Sequence, residues 1–291
     1  MTVQDALGAA VTALVAAGCE TPRLDAELLI ADALGVDRGA LISDPGTAIP
    51  PAAARLIGER VRRRVQREPV AYILGRKGFR RIELAVDPRV LIPRPETELL
   101  VEVALELPPG ARVHEVGTGS GAVALGLLDE RPDLLVTASD ASPAAVDVAR
   151  ENAARLGLPL DVTLASGLPR AREGQRSGVS PGPESVAPGL PHGGYDLVLA
   201  NLPYVREEEW SGLQPEIARY EPREALVAGE DGLEAIRALV SHAPAGTRLA
   251  LEHAPDQAAS VRALLRDAES RRDLAGRERV TVGHAASCNT A

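Results

Sequence analysis

V-H-E-V-G-T-G-S-G, at residues 113–121, is an apolar strand pattern that runs directly into a glycine-rich turn. The apolar helix predicted from Ala122 to Leu128 follows without a linker. Glycines at a strand-to-helix turn permit tight backbone geometry and close approach of a ligand, and the helix N-terminus offers free amide donors. From Arg112 onward strand and helix patterns alternate, which predicts an α/β fold with a doubly wound parallel sheet. We therefore expect a nucleotide-like ligand at this turn.

A carboxylate ends the next predicted strand, which covers residues 134–139. This residue, Asp140, follows Gly121 by 19 positions, and it can accept hydrogen bonds from the two hydroxyls of a ribose. The turn reads G-T-G-S-G and lacks the G-x-G-x-x-G spacing of dinucleotide-binding folds. Together with an asparagine at the end of a later strand, it is typical of S-adenosylmethionine-dependent methyltransferases. Glu115 is a candidate contact for the methionine end of that cofactor, and an ordinary strand-end position explains it equally well.

A second apolar strand, Y-D-L-V-L-A at residues 195–200, ends in the tetrapeptide N-L-P-Y at 201–204. Polar groups at the carboxyl end of such a strand lie where open α/β sheets bind ligands. The Asn201 side chain offers one acceptor and two donors to a planar NH2-bearing group, and the Tyr204 ring can cover that group's flat face. The expected guest is an amide or an amino-purine. A simple strand-terminating turn is the alternative interpretation of the tetrapeptide.

Composition and charge narrow the class of protein. The chain has 291 residues, of which 45% are hydrophobic, enough for one large or two modest domains. Its formal net charge of −9 opposes stable, non-specific binding of nucleic acid. With two cysteines and five scattered histidines, neither a disulfide framework nor a metal site is expected. No apolar stretch approaches the roughly 18 residues of a membrane span, so we expect a cytoplasmic protein without a membrane partner. A monomer is a separate expectation.

Residues 1 to about 68 show helical periodicity. Thr2 and Asp5 form a capping-box pattern, Thr21-Pro22 begins the next helix, and a longer helix follows Pro50-Pro51. One stripe of this longer helix carries Arg60, Arg63, Arg64 and Arg67. We expect a solvated basic face, and the alternative is a docking surface for an acidic partner or RNA.

Two short motifs connect these helices to the predicted sheet. Alternating apolar residues between Phe79 and Val86 indicate a hairpin. In L-I-P-R-P-E-T-E, at 91–98, the prolines stiffen the backbone, and Pro95 with the acids after it fits the start of a helix. A helix start does not explain the arginine between the prolines, so Arg94 is a further site candidate.

These motifs together resemble the HemK/PrmC family, the protein-glutamine N5-methyltransferases of class I peptide chain release factors. The resemblance covers nearly the whole chain and includes the helical N-terminal region. Its motifs, in chain order, are E-P-V-A-Y-I-L-G at 68–75, L-I-P-R-P-E-T-E at 91–98, E-V-G-T-G-S-G at 115–121, Asp140, N-L-P-Y at 201–204, E-P-R-E-A-L at 221–226 and G-E-D-G-L at 229–233.

The resemblance implies a class I S-adenosylmethionine-dependent methyltransferase fold, which is a Rossmann-like doubly wound sheet with a small all-helical N-terminal domain. The domains it implies are a helical substrate-recognition domain at 1–75, a hairpin linker at 76–95 and the methyltransferase domain at 96–291. Within the last of these, residues 171–194 are rich in Gly, Pro, Ser and Arg, and we expect a disordered insertion there.

The resemblance also implies the reaction. A methyl group passes from S-adenosylmethionine to the side-chain nitrogen of the glutamine in the Gly-Gly-Gln motif of class I release factors, a modification tied to translation termination. The implied catalytic residues are Asn201, Leu202, Pro203 and Tyr204. The implied cofactor-binding residues are Glu115, Gly117, Thr118, Gly119, Ser120, Gly121, Asp140, Leu168 and Asn201.

Two positions depart from the family pattern. The family's usual N-P-P-Y is N-L-P-Y here, and Leu202 keeps the backbone carbonyl that the family offers to the substrate amide. Gly167 and Leu168 stand where the family often has an Asp and an aromatic residue beside the adenine. Leu168 can still pack on the adenine, but without the acid we expect lower cofactor affinity.

Two other classes of function stay open at the level of sequence. One is an N6-adenine methyltransferase acting on DNA or RNA, because the same tetrapeptide can hold an exocyclic amine. The acidic net charge and the lack of a long basic recognition domain argue against it. The other is a non-catalytic binding protein that uses the helical region, and the intact cofactor motifs argue against that.

Overall fold

The computed structural model describes residues 1–168 and 194–286. It divides into two compact units, one made of Met1–Arg76, Val86–Pro88 and Leu213–Glu221, the other of Lys77–Ala85, Arg89–Gly212 and Pro222–Ala291. The segment 171–194, expected to be an insertion, lies outside the described residues except for Gly194. Across the described ranges, no helix is long and apolar enough to cross a membrane.

The α-helices are, in chain order, α1 Val3–Ala16, α2 Pro22–Leu34, α3 Arg38–Ser43, α4 Pro51–Val65, α5 Val70–Leu74, α6 Glu98–Leu105, α7 Ala122–Glu130, α8 Pro143–Leu156, α9 Pro215–Tyr220, α10 Glu234–His242 and α11 Ala258–Ala263. The strands are β1 Arg76–Phe79, β2 Ile82–Ala85, β3 Arg112–Val116, β4 Leu135–Asp140, β5 Asp161–Leu164, β6 Leu197–Ala200, β7 Arg248–Glu252, β8 Leu265–Arg272 and β9 Glu278–Ala285.

The helical unit begins as its sequence predicts. The Thr2 side chain accepts a hydrogen bond from the Asp5 amide at 3.2 Å, and the Thr2 amide donates to the Asp5 carboxylate at 2.8 Å, so the capping box is confirmed. The second helix ends at Gly35 in the left-handed conformation. The short α3 was not predicted, because six residues are too few to show a periodic pattern.

The expectation of a solvated basic face on α4 is wrong. Arg64 is only 5% exposed and pairs with Asp25 and Glu216, each at 2.7 Å. Arg67 pairs with Glu216 at 2.6 Å, as Arg60 does with Asp32 and Arg63 with Glu68. All four guanidinium groups form ion pairs with carboxylates of the same unit. For the buried Arg64 such partners are required, because an unpaired buried charge is costly. The same pairing leaves the alternative, a docking surface made by this stripe, without support.

Among the described residues, the main sheet of the second unit has seven strands in the order β5-β4-β3-β6-β7-β9-β8. All pairings from β5 to β7 are parallel, and β9 is antiparallel to both of its neighbours. This confirms the predicted doubly wound α/β fold. The predicted hairpin is also present as the separate two-stranded sheet β1-β2.

The strand order reverses at β3, which lies between β4 and β6. The chain passes from β3 to β4 and β5 on one side and then returns to β6 on the other. Val116, the last residue of β3, is in register with Ala200, the last residue of β6. The glycine-rich turn and the tetrapeptide N-L-P-Y therefore leave the sheet side by side at a topological switch point, where open α/β sheets bind ligands.

Candidate active site

A cleft of about 830 Å³ opens at this switch point, a size suited to a small-molecule ligand. Most of the sequence-predicted site residues line it together: Glu115, Gly117, Thr118, Gly119, Ser120, Asp140, Leu168, Asn201, Leu202 and Pro203. Gly121 and Tyr204 are not among the lining residues. Arg94, the further candidate, and Thr97 also line the cleft.

The glycine turn requires its glycines. Gly117, Gly119 and Gly121 have φ angles of +75°, +54° and +83°, a left-handed region that residues with a Cβ rarely adopt. A Cβ on Gly121 would also lie 2.8 Å from Leu125 Cδ1, inside van der Waals contact. Gly121 thus serves the close start of α7, while the first two glycines face the cleft.

Asp140 holds the glycine turn in place. One carboxylate oxygen accepts a hydrogen bond from the Gly119 amide at 2.8 Å, and the other accepts from the Ser142 amide at 2.9 Å. Each carboxylate oxygen has a second lone pair, so the same side chain can still accept from ligand hydroxyls in the cleft. The carboxylate therefore orders the turn and faces the cleft at the same time.

Glu115 is fully buried, at 2% exposure, beneath the turn. Its Oε2 accepts from the Thr118 hydroxyl at 2.6 Å and from the Ala124 amide at 3.0 Å, so it joins the turn to the first residues of α7. Burial raises the pKa of this carboxyl to about 8, and the two hydrogen bonds only partly counter the rise. The geometry assigns this carboxyl a bracing role within the turn.

Leu168 and Gly167 reach the cleft from the segment after β5. The Gly167 carbonyl accepts a hydrogen bond from the Ser139 hydroxyl at 3.2 Å, and Leu168 packs on the apolar cluster that contains Val116. An apolar side chain in this position can cover one face of a planar ring. It offers no acceptor to an exocyclic amine.

Asn201 is oriented by Thr97. Its amide nitrogen donates to the Thr97 hydroxyl oxygen at 3.0 Å. Because the nitrogen is used in this way, the side-chain oxygen is the atom that can accept a hydrogen bond from a ligand. Thr97 itself is buried, at 4% exposure.

Tyr204 is held at its backbone and at its hydroxyl. Its carbonyl accepts from Gln257 Nε2 at 2.9 Å, and its hydroxyl donates to the Glu252 carboxylate at 3.3 Å. A Cβ on Gly232, whose φ is +72°, would collide with that carbonyl. The G-E-D-G-L motif therefore packs directly against the end of the tetrapeptide.

Sequence reasoning did not identify Thr97 or Glu252 as site residues. Thr97 lies within the proline-rich motif at 91–98, and Glu252 ends β7 in L-E-H at 251–253. A buried acid at the carboxyl end of a parallel strand was the available signal for Glu252. Nothing in the local sequence links either residue to Asn201 or Tyr204.

The lining residues fit S-adenosylmethionine. Gly117 and Gly119 let a ligand approach the backbone of the turn closely, Asp140 presents carboxylate acceptors suited to a ribose, and Leu168 offers an apolar surface suited to a purine. The fold and this cleft define the chain as an S-adenosylmethionine-dependent methyltransferase of class I.

Comparison with known proteins identifies the family. Residues 5–75 match the PrmC N-terminal domain, and residues 95–179 match the methyltransferase small domain. The release factor glutamine methyltransferase of Xylella fastidiosa is 39% identical, over 93% of this chain and 96% of that one. The Deinococcus radiodurans protein of the same name is 39% identical, over 96% of this chain and 97% of that one.

A solved structure, the release factor-specific protein-(glutamine-N5) methyltransferase of Alicyclobacillus acidocaldarius, is 25% identical. The alignment covers 70% of this chain and all of that one, 100%, with a TM-score of 0.35. On the two sequence relatives, which span almost their full lengths, the chain belongs to the release factor glutamine methyltransferase family.

Proposed function

We propose that this chain transfers a methyl group from S-adenosylmethionine to the side-chain nitrogen of the glutamine in the Gly-Gly-Gln motif of class I release factors. Asn201 and the Leu202 carbonyl receive the glutamine amide, and the glycine turn, Asp140 and Leu168 hold the cofactor. The proposal rests on family membership and on one geometric observation.

That observation is the closeness of the two motifs. Val116 and Ala200 are in register on adjacent parallel strands, so the turn and the tetrapeptide begin at neighbouring positions. A Cβ on Gly117 would lie 3.0 Å from Leu202 Cδ2 and 3.7 Å from the Asn201 carbonyl oxygen. A donor bound on the turn and an acceptor amide bound on the tetrapeptide would share one cleft.

In this proposal the protein's own groups orient the glutamine amide of the substrate. When bound, S-adenosylmethionine supplies an already activated methyl group. A glutamine nitrogen is a poor nucleophile because its lone pair is delocalised into the carbonyl. The Asn201 side-chain oxygen and the Leu202 carbonyl accept its two hydrogens, which aims the nitrogen and stabilises the positive charge that develops on it. The proposed role of the Tyr204 ring is to cover the flat face of the amide.

The direct test is methyl transfer from labelled S-adenosylmethionine to a purified class I release factor, followed by peptide mapping by mass spectrometry. We expect the label on the glutamine of Gly-Gly-Gln. The matched substrate control is the same factor with that glutamine changed to glutamate, which should remain unlabelled. DNA and RNA are offered in parallel reactions. Label on adenine alone, or on another residue of the factor, contradicts the proposal.

We further propose that the helical unit recognises the release factor. This unit has a hydrophobic core of its own, built around Leu14, Ile30 and Ile57. With the four arginines of the stripe paired internally, Arg55 and Arg62 remain as exposed cations on α4. A helical unit with a core of its own can present a large surface to a macromolecular substrate.

The corresponding test compares a short Gly-Gly-Gln peptide with the whole factor. We expect the double variant Arg55→Glu/Arg62→Glu to raise KM for the whole factor and to leave kcat/KM for the peptide unchanged. The control is Glu59→Lys, which changes charge on the same helix in the opposite sense. An equal effect of Arg55→Glu/Arg62→Glu on both substrates would contradict recognition by this surface.

A further inference from the structure

The carboxyl group of Glu252 occupies an unusual position behind the tetrapeptide. It ends β7, is 1% exposed, and is absent from the residues that line the cleft. Its Oε1 accepts from the Tyr204 hydroxyl at 3.3 Å, while Oε2 has no hydrogen-bond partner in the part of the chain that is described. Buried carboxyl oxygens without partners are costly and call for an explanation.

Thr97 connects the same carboxyl to the other end of the tetrapeptide. The Thr97 oxygen accepts from the Asn201 amide at 3.0 Å, which leaves the hydroxyl hydrogen free to donate elsewhere. The Thr97 hydroxyl is close enough to the Glu252 carboxyl to lower its pKa, and the Tyr204 hydroxyl acts in the same sense. Both hydroxyls therefore converge on one carboxyl group.

The buried surroundings of the Glu252 carboxyl strengthen the hydrogen bonds that it accepts. Burial is the largest influence and raises the pKa of Glu252 to about 7; Arg279 acts against this rise, and Glu96 adds to it. In such a dry environment a hydrogen bond is stronger than in water, and losing one is expensive. Glu252, in β7, is also paired in register with Val280 of β9, so its backbone is fixed by the sheet.

We propose that Glu252 is a positioning residue for the acceptor site: it holds Tyr204 directly and Asn201 through Thr97. The carboxyl touches neither the cofactor nor the substrate. It fixes both ends of the tetrapeptide from behind, so that the Asn201 oxygen and the Tyr204 ring meet the acceptor amide in one geometry. The inference rests on the proposed function for the identity of the acceptor.

The central variant is Glu252→Gln, which keeps the size of the side chain. A glutamine replaces one of the two carboxyl oxygens with an NH2 group, which donates and cannot accept, so the two hydroxyls can no longer be received on separate oxygens. We expect kcat for release factor methylation to fall about tenfold to a hundredfold, the lower range for loss of preorganised polar contacts. The dissociation constant for S-adenosylmethionine should stay within twofold (about 0.4 kcal/mol). The control Glu278→Gln, on β9, removes a carboxylate of the same sheet unit, which pairs with Arg262, and should retain kcat.

Coupling distinguishes positioning from a general structural effect. Thr97→Val and Tyr204→Phe each remove one hydroxyl and keep the shape of the side chain. If the carboxyl acts through these hydroxyls, the loss of kcat in Glu252→Gln combined with either change is smaller than the product of the single losses. Independent, multiplicative losses overturn the proposal, as does wild-type kcat in Glu252→Gln. Should Glu252→Gln fail to fold, wild-type kcat in both Thr97→Val and Tyr204→Phe overturns it.

A readout that needs no acceptor separates this inference from the proposed function. The side-chain amide resonances of Asn201 in the protein alone report its bond to Thr97. We expect Glu252→Gln to shift these resonances and to speed their hydrogen exchange, with no such change in Glu278→Gln. Unchanged Asn201 resonances overturn the positioning role even if the release factor is methylated. If wild-type protein leaves the release factor unmethylated, the proposed function is overturned. The Asn201 resonances then still test the positioning role of Glu252.

Discussion

Gly117 lies so close to Leu202 that a Cβ on Gly117 would be 3.0 Å from Leu202 Cδ2. Gly117 directly follows Val116, the last residue of β3, and Leu202 lies two positions after Ala200, the last residue of β6. Val116 and Ala200 are in register. The glycine turn and the tetrapeptide N-L-P-Y are therefore close neighbours at the cleft. A side chain on Gly117 would therefore press on Leu202.

Gly117→Ala should weaken S-adenosylmethionine binding. Its φ of +75° costs an alanine about 1–2 kcal/mol, and the new methyl group would press on Leu202. Gly157→Ala is the matched control, because Gly157 has a φ of +67° and no atom within 4 Å of a Cβ. We expect both variants to lose similar stability by denaturant unfolding. Calorimetry should show a loss of affinity only in Gly117→Ala, and equal affinities would contradict the contact.

Asp140→Ala should reduce S-adenosylmethionine affinity by about 1–3 kcal/mol. The change removes a charged acceptor for the ribose and frees the Gly119 amide that the carboxylate now holds at 2.8 Å. Asp147→Ala, on the exposed face of α8, provides the control. Isothermal titration calorimetry measures both. Affinity equal to that of wild type would remove Asp140 from the cofactor site.

Asn201→Ala and Leu202→Pro should have very different rates of methyl transfer. The first deletes the acceptor oxygen, and we expect the single-turnover rate of methyl transfer to fall about a hundredfold or more, with the fold retained. The second keeps the carbonyl and restores the proline that the family usually has, so its rate should stay within a few-fold of wild type. Rapid-quench kinetics and circular dichroism make the comparison. Equal rates in the two variants would refute the assigned roles.

The raised pKa of Glu115 predicts that the free energy of unfolding depends on pH. Its pKa is raised from 4.5 to about 8 in the folded protein, so the folded state holds one more proton than the unfolded state between these values. The stability it contributes is complete below pH 4.5 and is lost as the pH rises toward 8. Glu115→Gln cannot titrate, so its free energy of unfolding relative to wild type should increase by roughly 1.4 kcal/mol per pH unit in this window.

Urea unfolding at about pH 5, 6, 7 and 8 measures the difference in free energy of unfolding between Glu115→Gln and wild type. Glu59→Gln, which removes an exposed carboxylate, controls for the loss of one charge. A flat difference between Glu115→Gln and wild type would mean that Glu115 is ionised throughout.

Glu216→Ala should destabilise the helical unit by about 3 kcal/mol. Glu216 pairs with Arg64 at 2.7 Å and with Arg67 at 2.6 Å, and its loss leaves a buried guanidinium with one partner fewer. Glu208→Ala, at an exposed position, is the control and should have little effect. Differential scanning calorimetry measures both, and unchanged melting in Glu216→Ala would show that the pair contributes nothing.

Local sequence patterns were enough to predict many of the secondary-structure elements and many of the residues that line the cleft. The capping box at Thr2, the left-handed end at Gly35, the strand before the glycine turn and Asp140 at the end of the next strand all follow from patterns within a few residues. Such patterns can be read because side chains three or four positions apart on a helix, or two apart on a strand, share a face. Parallel strands with alternating helices then imply the doubly wound sheet.

The contacts between side chains that are distant in sequence depend on how whole helices and strands pack, and local patterns did not reveal them. Asn201 binds Thr97, which is 104 positions away, and Tyr204 binds Glu252, which is 48 away. The arginine stripe on α4 looked solvated because its partners Asp25 and Glu216 lie far from it in sequence. Periodicity reports which face a residue occupies, but the packing of whole elements determines what that face touches, and the partners that orient Asn201 and Tyr204 are set at that level.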